Sequence, residues 1–164
     1  MDELRALADQ AAITRVIQQV ARAFDEKRHD ELLPQVFLDG ASVTYFLSGA
    51  VTDFSIPAGI ARFKAFHERC WWTQHLVGPS VIDLDGDTAQ ASSSVIATHV
   101  QIREDGSRNV WVVAASYFDD LVRTADGWRI RSRRAPCMHE DGAFEAEGVR
   151  LYPALPDVFR QGAG

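Results

Sequence analysis

Little in this sequence suits covalent cross-linking, membrane insertion or binding to polyanions. Only two cysteines, Cys70 and Cys137, occur in 164 residues; they are too few for a disulfide scaffold and read as free thiols. No apolar run approaches the ~20 residues that cross a bilayer. The stretch from Val110 to Ser116 has the length of a buried strand. The acidic start Met1-Asp2-Glu3 lacks the basic n-region of a secretory leader, so a cytoplasmic protein is the simplest expectation. Positive charge is also in deficit. Seventeen Lys and Arg against 23 Asp and Glu leave a net charge of −6, the wrong sign for a nucleic acid or an anionic membrane as partner.

With 46% hydrophobic and 24% charged residues, the chain has the balance of one globular domain spanning 1–164. From Glu3 to about Lys27 the apolar residues Leu4, Leu7, Ala11, Ile13, Ile17, Val20 and Phe24 recur at helical spacing. Glu31 to Phe37 reads as a short second helix with Pro34 in its first turn. The β-branched and aromatic run Ser42 to Leu47 reads as a strand. Ile56 to Cys70 returns to helical spacing, with Pro57 at its opening. Beyond Trp72, Asp-Gly pairs at Asp85-Gly86, Asp105-Gly106 and Asp126-Gly127 separate Thr73–Leu84, Thr88–Arg103, Asn109–Arg123 and Trp128–Arg134, the pattern of an antiparallel meander. From Ala135 the chain reads as irregular but apolar, an extension packing on the domain or on a neighbouring subunit. Helices followed by a twisted sheet make an α+β domain whose helices lie on one face of the sheet and enclose a pocket.

Asp25 is the first oddity. Positions 13, 17, 21 and 25 form one i, i+4 row, and Ile, Ile and Ala precede the carboxylate. At the last helical turn the macrodipole opposes negative charge, so Asp25 either points at water or takes a partner. The candidate partner is His75, at the start of a strand. Of the five histidines, His29 and His67 lie in charged helical or loop surroundings and His139 lies in the tail; only His75 and His99 fall inside strands. A strand histidine is either structural or functional, and a nearby Asp favours function. Ile96, Val100 and Ile102 share one face of their strand, which places His99 opposite, with Ala97 and Gln101. Arg103, Arg123, Arg129, Arg131, Arg133 and Arg134 read as solvated edges and turns. Asp83, Asp85 and Asp87 mimic a calcium loop, but Thr88 and Ser94 stand where Gly and Glu are required. There is no nucleophile elbow, phosphate loop, dinucleotide fingerprint or close His pair, so no metal and no cofactor are expected.

Three segments carry a family resemblance: Ala23-Phe24-Asp25, Thr73-Gln74-His75-Leu76-Val77-Gly78, and Val122 to Ile130 with its Asp-Gly-Trp hairpin. Over roughly Leu4 to Arg134 the chain resembles the SnoaL-like branch of the nuclear transport factor 2 superfamily, which includes scytalone dehydratase, hexachlorocyclohexane dehydrochlorinase, polyketide cyclases and ketosteroid isomerase. The resemblance implies a cone-shaped barrel of strongly curved antiparallel sheet with N-terminal helices over its concave face, and a homodimer or homotrimer formed through the outer face. It also implies an Asp25–His75 dyad, His99 as a second histidine, a pocket tyrosine at Tyr45 and a pocket serine at Ser116. One departure is plain: the dehydratase has a Tyr immediately before its Asp, and this chain has Phe24.

These residue types suit proton abstraction from carbon. A carboxylate holding one imidazole nitrogen fixes the tautomer and leaves the other nitrogen as a base. The expected activity is a cofactor-independent β-elimination on a small hydrophobic cyclic or aromatic substrate. His75 is the base, Asp25 orients it, Tyr45 donates to a substrate oxygen and His99 assists the leaving group. Phe24, Phe66, Trp72 and Trp111 are the candidate pocket aromatics. The same base would serve an isomerase or a cyclase, and a non-catalytic binding module or oxygenase small subunit is the alternative outside enzymes.

Overall fold

The apolar stripe of the first helix sets the architecture. In a computed structural model that describes residues 3–159, α1 (Glu3–Asp25) buries Ile13, Ile17, Val20, Ala21 and Phe24 along one face. This stripe rests on the concave side of a curled, open seven-stranded sheet. A short α2 (His29–Val36) leads into β1 (Phe37–Leu47) and β2 (Ala50–Ser55), then α3 (Ile60–His67). Five further strands follow: β3 (Trp72–Val77), β4 (Val81–Asp85), β5 (Thr88–Ile102), β6 (Arg108–Thr124) and β7 (Gly127–Asp141). The hydrogen-bonded order is β2-β1-β7-β6-β5-β3, with β4 also paired to β5. The β5–β6–β7 meander is antiparallel as expected, whereas β1 runs parallel to β7. Register shifts interrupt β6–β7 in two places, between Ala114 and Ala115 and between Asp120 and Leu121. Such bulges bend long strands and curl the sheet around α1.

Several boundaries depart from the sequence reading. The expected single strand Thr73–Leu84 is two strands, because Gly78-Pro79-Ser80 interrupts it and proline cannot donate to a ladder. The hairpin β1–β2 turns on Ser48 and Gly49, both with positive φ, the conformation of a tight two-residue hairpin. The third helix starts at Ile60 rather than at Pro57, which follows a cis peptide bond. The expected irregularity from Ala135 begins instead after Asp141: β7 continues to that residue and pairs Cys137 with Ala115 and His139 with Ala114, which leaves Met138 bulged outward.

The segment after β7 folds back on its own domain. It starts at Gly142, where φ is +78° and a Cβ would stand 2.3 Å from the Val110 carbonyl oxygen, so glycine is required there. Buried Gln101 then clamps the strap, donating to the Glu145 carbonyl at 2.8 Å and accepting from the Glu145 N–H at 2.9 Å. Lys27 Nζ donates to the Cys70 and Tyr152 carbonyls, tying the end of α1 to the same strap.

Arginines read as solvated divide sharply. Arg133 is fully buried; its Nε and Nη2 donate to Asp119 at 2.6 and 2.7 Å, and the two side chains are 0% and 1% exposed. Arg123 holds Asp9 through two short hydrogen bonds, and the Trp128 indole donates to the same carboxylate at 3.1 Å. The correction has a simple cause. Both acids lie on inward rows, Asp119 between Tyr117 and Leu121 in β6 and Asp9 on the buried stripe of α1, and a buried carboxylate needs a charged partner.

Removing one member of the buried pair strands the other, so Asp119→Ala should destabilise the fold by roughly 3–5 kcal/mol. Asp30→Ala breaks only the exposed pair with Lys64 and should cost under ~1 kcal/mol; paired denaturant titrations measure both. The hydrogen bond from Arg123 is the largest influence lowering the Asp9 carboxyl to about 2. Its stabilisation is complete above the unfolded value near 3.8 and is lost as pH falls toward 2. Asp9→Asn should therefore be less stable than wild type at neutral pH, with the difference shrinking across that acid window.

Candidate active site

The end of α1 meets the start of β3 through one side chain. Asp25 Oδ1 accepts from His75 Nδ1 at 2.7 Å and from Thr73 Oγ1 at 3.3 Å, while Oδ2 accepts from the His75 backbone N–H at 2.9 Å. These donors offset the unfavourable end of the helix dipole, which is why a carboxylate is tolerated there. The partner expected for Asp25 is thus its actual neighbour. The His75 side chain is 6% exposed and Asp25 25%. Because a carboxylate only accepts, the bonded Nδ1 carries a proton, and Nε2 is the nitrogen left to act as a base.

His75 opens into a cavity of about 230 Å³ between α1, α3 and the concave sheet. Rings of Phe24, Phe63, Phe66 and Trp111 form much of its wall, and Tyr45, His67, His99 and Tyr117 bring polar atoms to it. Strand alternation explains the selection. In β5 the row Val95, Ala97, His99, Gln101 turns inward, so the face carrying His99 is the lined one and Ile96 is half-exposed outside. In β6 the inward row is Trp111, Val113, Ala115, Tyr117.

The same parity removes two expected pocket residues. Ser116 faces away from the cavity, between inward Ala115 and Tyr117. Trp72 alternates with inward Thr73 and lies off the cavity against Phe159, at 6.3 Å between ring centroids. The missing serine is replaced by a phenol one position on. Tyr117 is 3% exposed, lines the cavity with Tyr45, and carries the Arg133 guanidinium 4.0 Å from its ring centroid. Burial pushes both phenols up in pKa, Tyr117 more strongly, so each remains a protonated donor at neutral pH. A pair of tyrosines therefore exists despite Phe24, supplied by β1 and β6.

The sequence reading of His29 and His67 as residues in charged surroundings is overturned. They are 3% and 2% exposed and 3.0 Å apart, from His29 Nε2 to His67 Nδ1. His67 Nδ1 also lies 2.7 Å from the Phe63 carbonyl, an acceptor that favours the tautomer with its proton on that nitrogen. The available signal was helical phase: Ile60, Phe63 and His67 are spaced by three and four, the buried stripe of α3. Burial, the largest influence on each, moves His29 down to about 4, His99 down to about 3, and His67 well below the usual imidazole range. His99 Nδ1 lies 3.4 Å from the Trp111 carbonyl. A neutral His99 with that tautomer offers a lone pair at Nε2 rather than a proton.

Charged or halogen-like leaving groups would meet few cations here. Arg62 stands at the cavity, 5.9 Å from the Phe54 ring centroid. Cys137 also lines the cavity, and burial raises its thiol pKa, so it is no ready nucleophile.

Comparisons with known proteins agree with this architecture. A SnoaL-like domain matches residues 5–134. An uncharacterised protein of Mycobacterium tuberculosis is 29% identical over 136 residues, which is 77% of this chain and 84% of that protein. A crystal structure described as a putative scytalone dehydratase from Novosphingobium aromaticivorans superposes with a TM-score of 0.72 at 20% identity, covering 95% and 97% of the two chains. A hexachlorocyclohexane dehydrochlorinase from Novosphingobium barchaimii superposes with a TM-score of 0.71 at 17% identity, covering 93% and 99%. At those identities the two structures establish a shared fold. The domain match spans the helices and most of the curled sheet that build the cavity, and the chain belongs to the SnoaL-like family.

Proposed function

We propose that the protein is a cofactor-independent lyase that removes a proton from carbon with His75 and expels water or halide from a small cyclic or aromatic substrate. The observation that carries the reading is the Asp25–His75 contact of 2.7 Å at the wall of an apolar cavity. The fold neighbours described as a dehydratase and a dehydrochlorinase support the reaction class.

In this reaction His75 Nε2 takes a proton from a carbon made acidic by an adjacent carbonyl or ring, and the imidazolium formed is stabilised by Asp25. The C–H electron pair becomes the new C=C bond and the bond to the leaving group breaks. When that group is hydroxide, it takes the proton from the imidazolium and departs as water; a halide leaves as the anion, and the imidazolium loses its proton to solvent. Tyr45 and Tyr117 donate to the substrate oxygen where charge accumulates, as in an oxyanion site. Neutral His99 accepts a hydrogen bond from the substrate, so of the two ways of assisting the leaving group, protonating or steadying it, the second is the one kept. The aromatic walls exclude water and favour a flat, apolar substrate.

A panel of hydroxylated and halogenated cyclic ketones and phenols, assayed for alkene formation, tests the reading. His75→Gln should lower turnover by roughly 10²–10⁴-fold with circular dichroism and Tm little changed; wild-type turnover by this variant would remove His75 as the base. Asp25→Asn should reduce kcat more than it changes KM, and an unaltered pH–rate profile would argue against its orienting role. A stable protein that binds these compounds but converts none would support the non-catalytic module instead.

The two phenols give an independent check. Tyr45→Phe and Tyr117→Phe should each cost roughly 10–10³-fold in kcat if they donate to a developing oxyanion. Their combined loss should be less than the product of the single losses, because they donate to the same oxygen; measured rate constants for the three variants decide this.

A further inference from the structure

Three histidines converge on one patch of the cavity. His67 from α3, His75 from β3 and His99 from β5 each offer a ring nitrogen, and these nitrogens all lie within 4.8 Å of one another. The ring centroids are 5.6, 6.0 and 6.4 Å apart. A proton-abstracting dyad uses one of these rings as base, and nothing in that chemistry requires His67.

The other face of each ring repeats a single pattern. Nδ1 of His75 is held by the Asp25 carboxylate, Nδ1 of His67 by the Phe63 carbonyl, and Nδ1 of His99 is directed at the Trp111 carbonyl. Each of these acceptors is an oxygen, and His29 Nε2 also lies 3.0 Å from His67 Nδ1; in the neutral tautomer that donates to the oxygens, each ring keeps a lone pair on Nε2. Metal-ligating histidines are oriented in this way, by outer carboxylates and carbonyls that fix the tautomer and raise ligand basicity. Asp25 adds a negative charge at the second layer of the site, which partly balances a dication.

We infer that His67, His75 and His99 form a three-histidine site for a borderline divalent transition metal of the zinc type, with its fourth position open to the cavity. Such an ion holds nitrogens at ~2.0–2.1 Å and hence ~3.3 Å from one another. The three nitrogens lie within 4.8 Å of one another, so they must draw together by about 1.5 Å at most to reach that spacing. Imidazole ligands favour zinc, cobalt, nickel or copper over calcium and magnesium. The site does not depend on the elimination reading, but it draws on the same His75 lone pair, so a bound metal displaces the base and inhibits that reaction.

Titration of chelator-treated protein with Co(II), followed by visible absorption and calorimetry, tests the inference. One equivalent should bind with an intense ligand-field spectrum of low coordination number. His67→Gln and His99→Gln should each weaken binding tenfold or more, while His139→Gln, exposed on β7, should leave it unchanged. X-ray absorption on wild-type protein loaded with Zn(II) should show imidazole scattering from three ligands, a readout that survives if a variant fails to fold. Absence of saturable binding up to millimolar metal, or binding unmoved by His67→Gln and His99→Gln, would overturn the site. Its failure is separable from failure of the lyase reading, which is decided by His75→Gln turnover in metal-free protein.

Discussion

The carboxylate of Asp25 joins the two halves of this molecule. It closes α1 and receives the opening of β3 through the His75 amide, the His75 ring and the Thr73 hydroxyl. A helix end that would normally repel negative charge is thereby made a fixed point. The aim of the His75 ring follows from that docking, which joins the apolar stripe of α1 in holding the helix above the sheet. Phe24, one residue earlier, buries its ring against Phe63 and stacks on His67 at 4.8 Å, so the same helical turn builds both the polar anchor and the apolar wall.

The concave face combines a dry aromatic wall with polar groups that are each held from behind. Tyr117 rests on Arg133, Arg133 on Asp119, His67 on the Phe63 carbonyl and His75 on Asp25. Polar side chains in such surroundings lose hydration, and partnered backs keep that loss tolerable while leaving a chemically active edge toward the cavity. One atom escapes the pattern: Arg133 Nη1 is buried without a hydrogen-bond partner among the described residues. The underside of the tyrosine pair thus keeps an unused donor, beside the two Arg133 hydrogen bonds that Asp119 accepts.

Helical and strand periodicity made a good part of this readable. The i, i+4 row ending at Asp25 and the strand position of His75 located the central contact, and alternation placed His99 opposite Ile96. What escaped was governed by relations between elements. Arg133 looked like one of several arginines near hairpins, and only its register opposite Asp119 in β6 shows why it is buried. His67 was masked by its neighbours Lys64, Glu68 and Arg69, although its spacing from Ile60 and Phe63 placed it on the inner stripe. Trp72 and Ser116 drew attention by residue type or family likeness, yet each falls on the outward phase of its strand. Hydrophobic bulk or a shared motif position indicates a pocket less reliably than parity does, because a one-residue slip exchanges the two faces of a strand.

The strap that follows β7 backs the wall of the cavity. Phe144 stacks on Phe66 at 4.2 Å and lies 5.7 Å from Trp111, behind the aromatic wall. The family match stops at residue 134, inside β7, so the strap lies beyond the matched domain. Two rings of the cavity wall, Phe66 and Trp111, are therefore braced from behind by a residue outside the matched domain, so the shape of that wall depends on more than the helices and strands that form it.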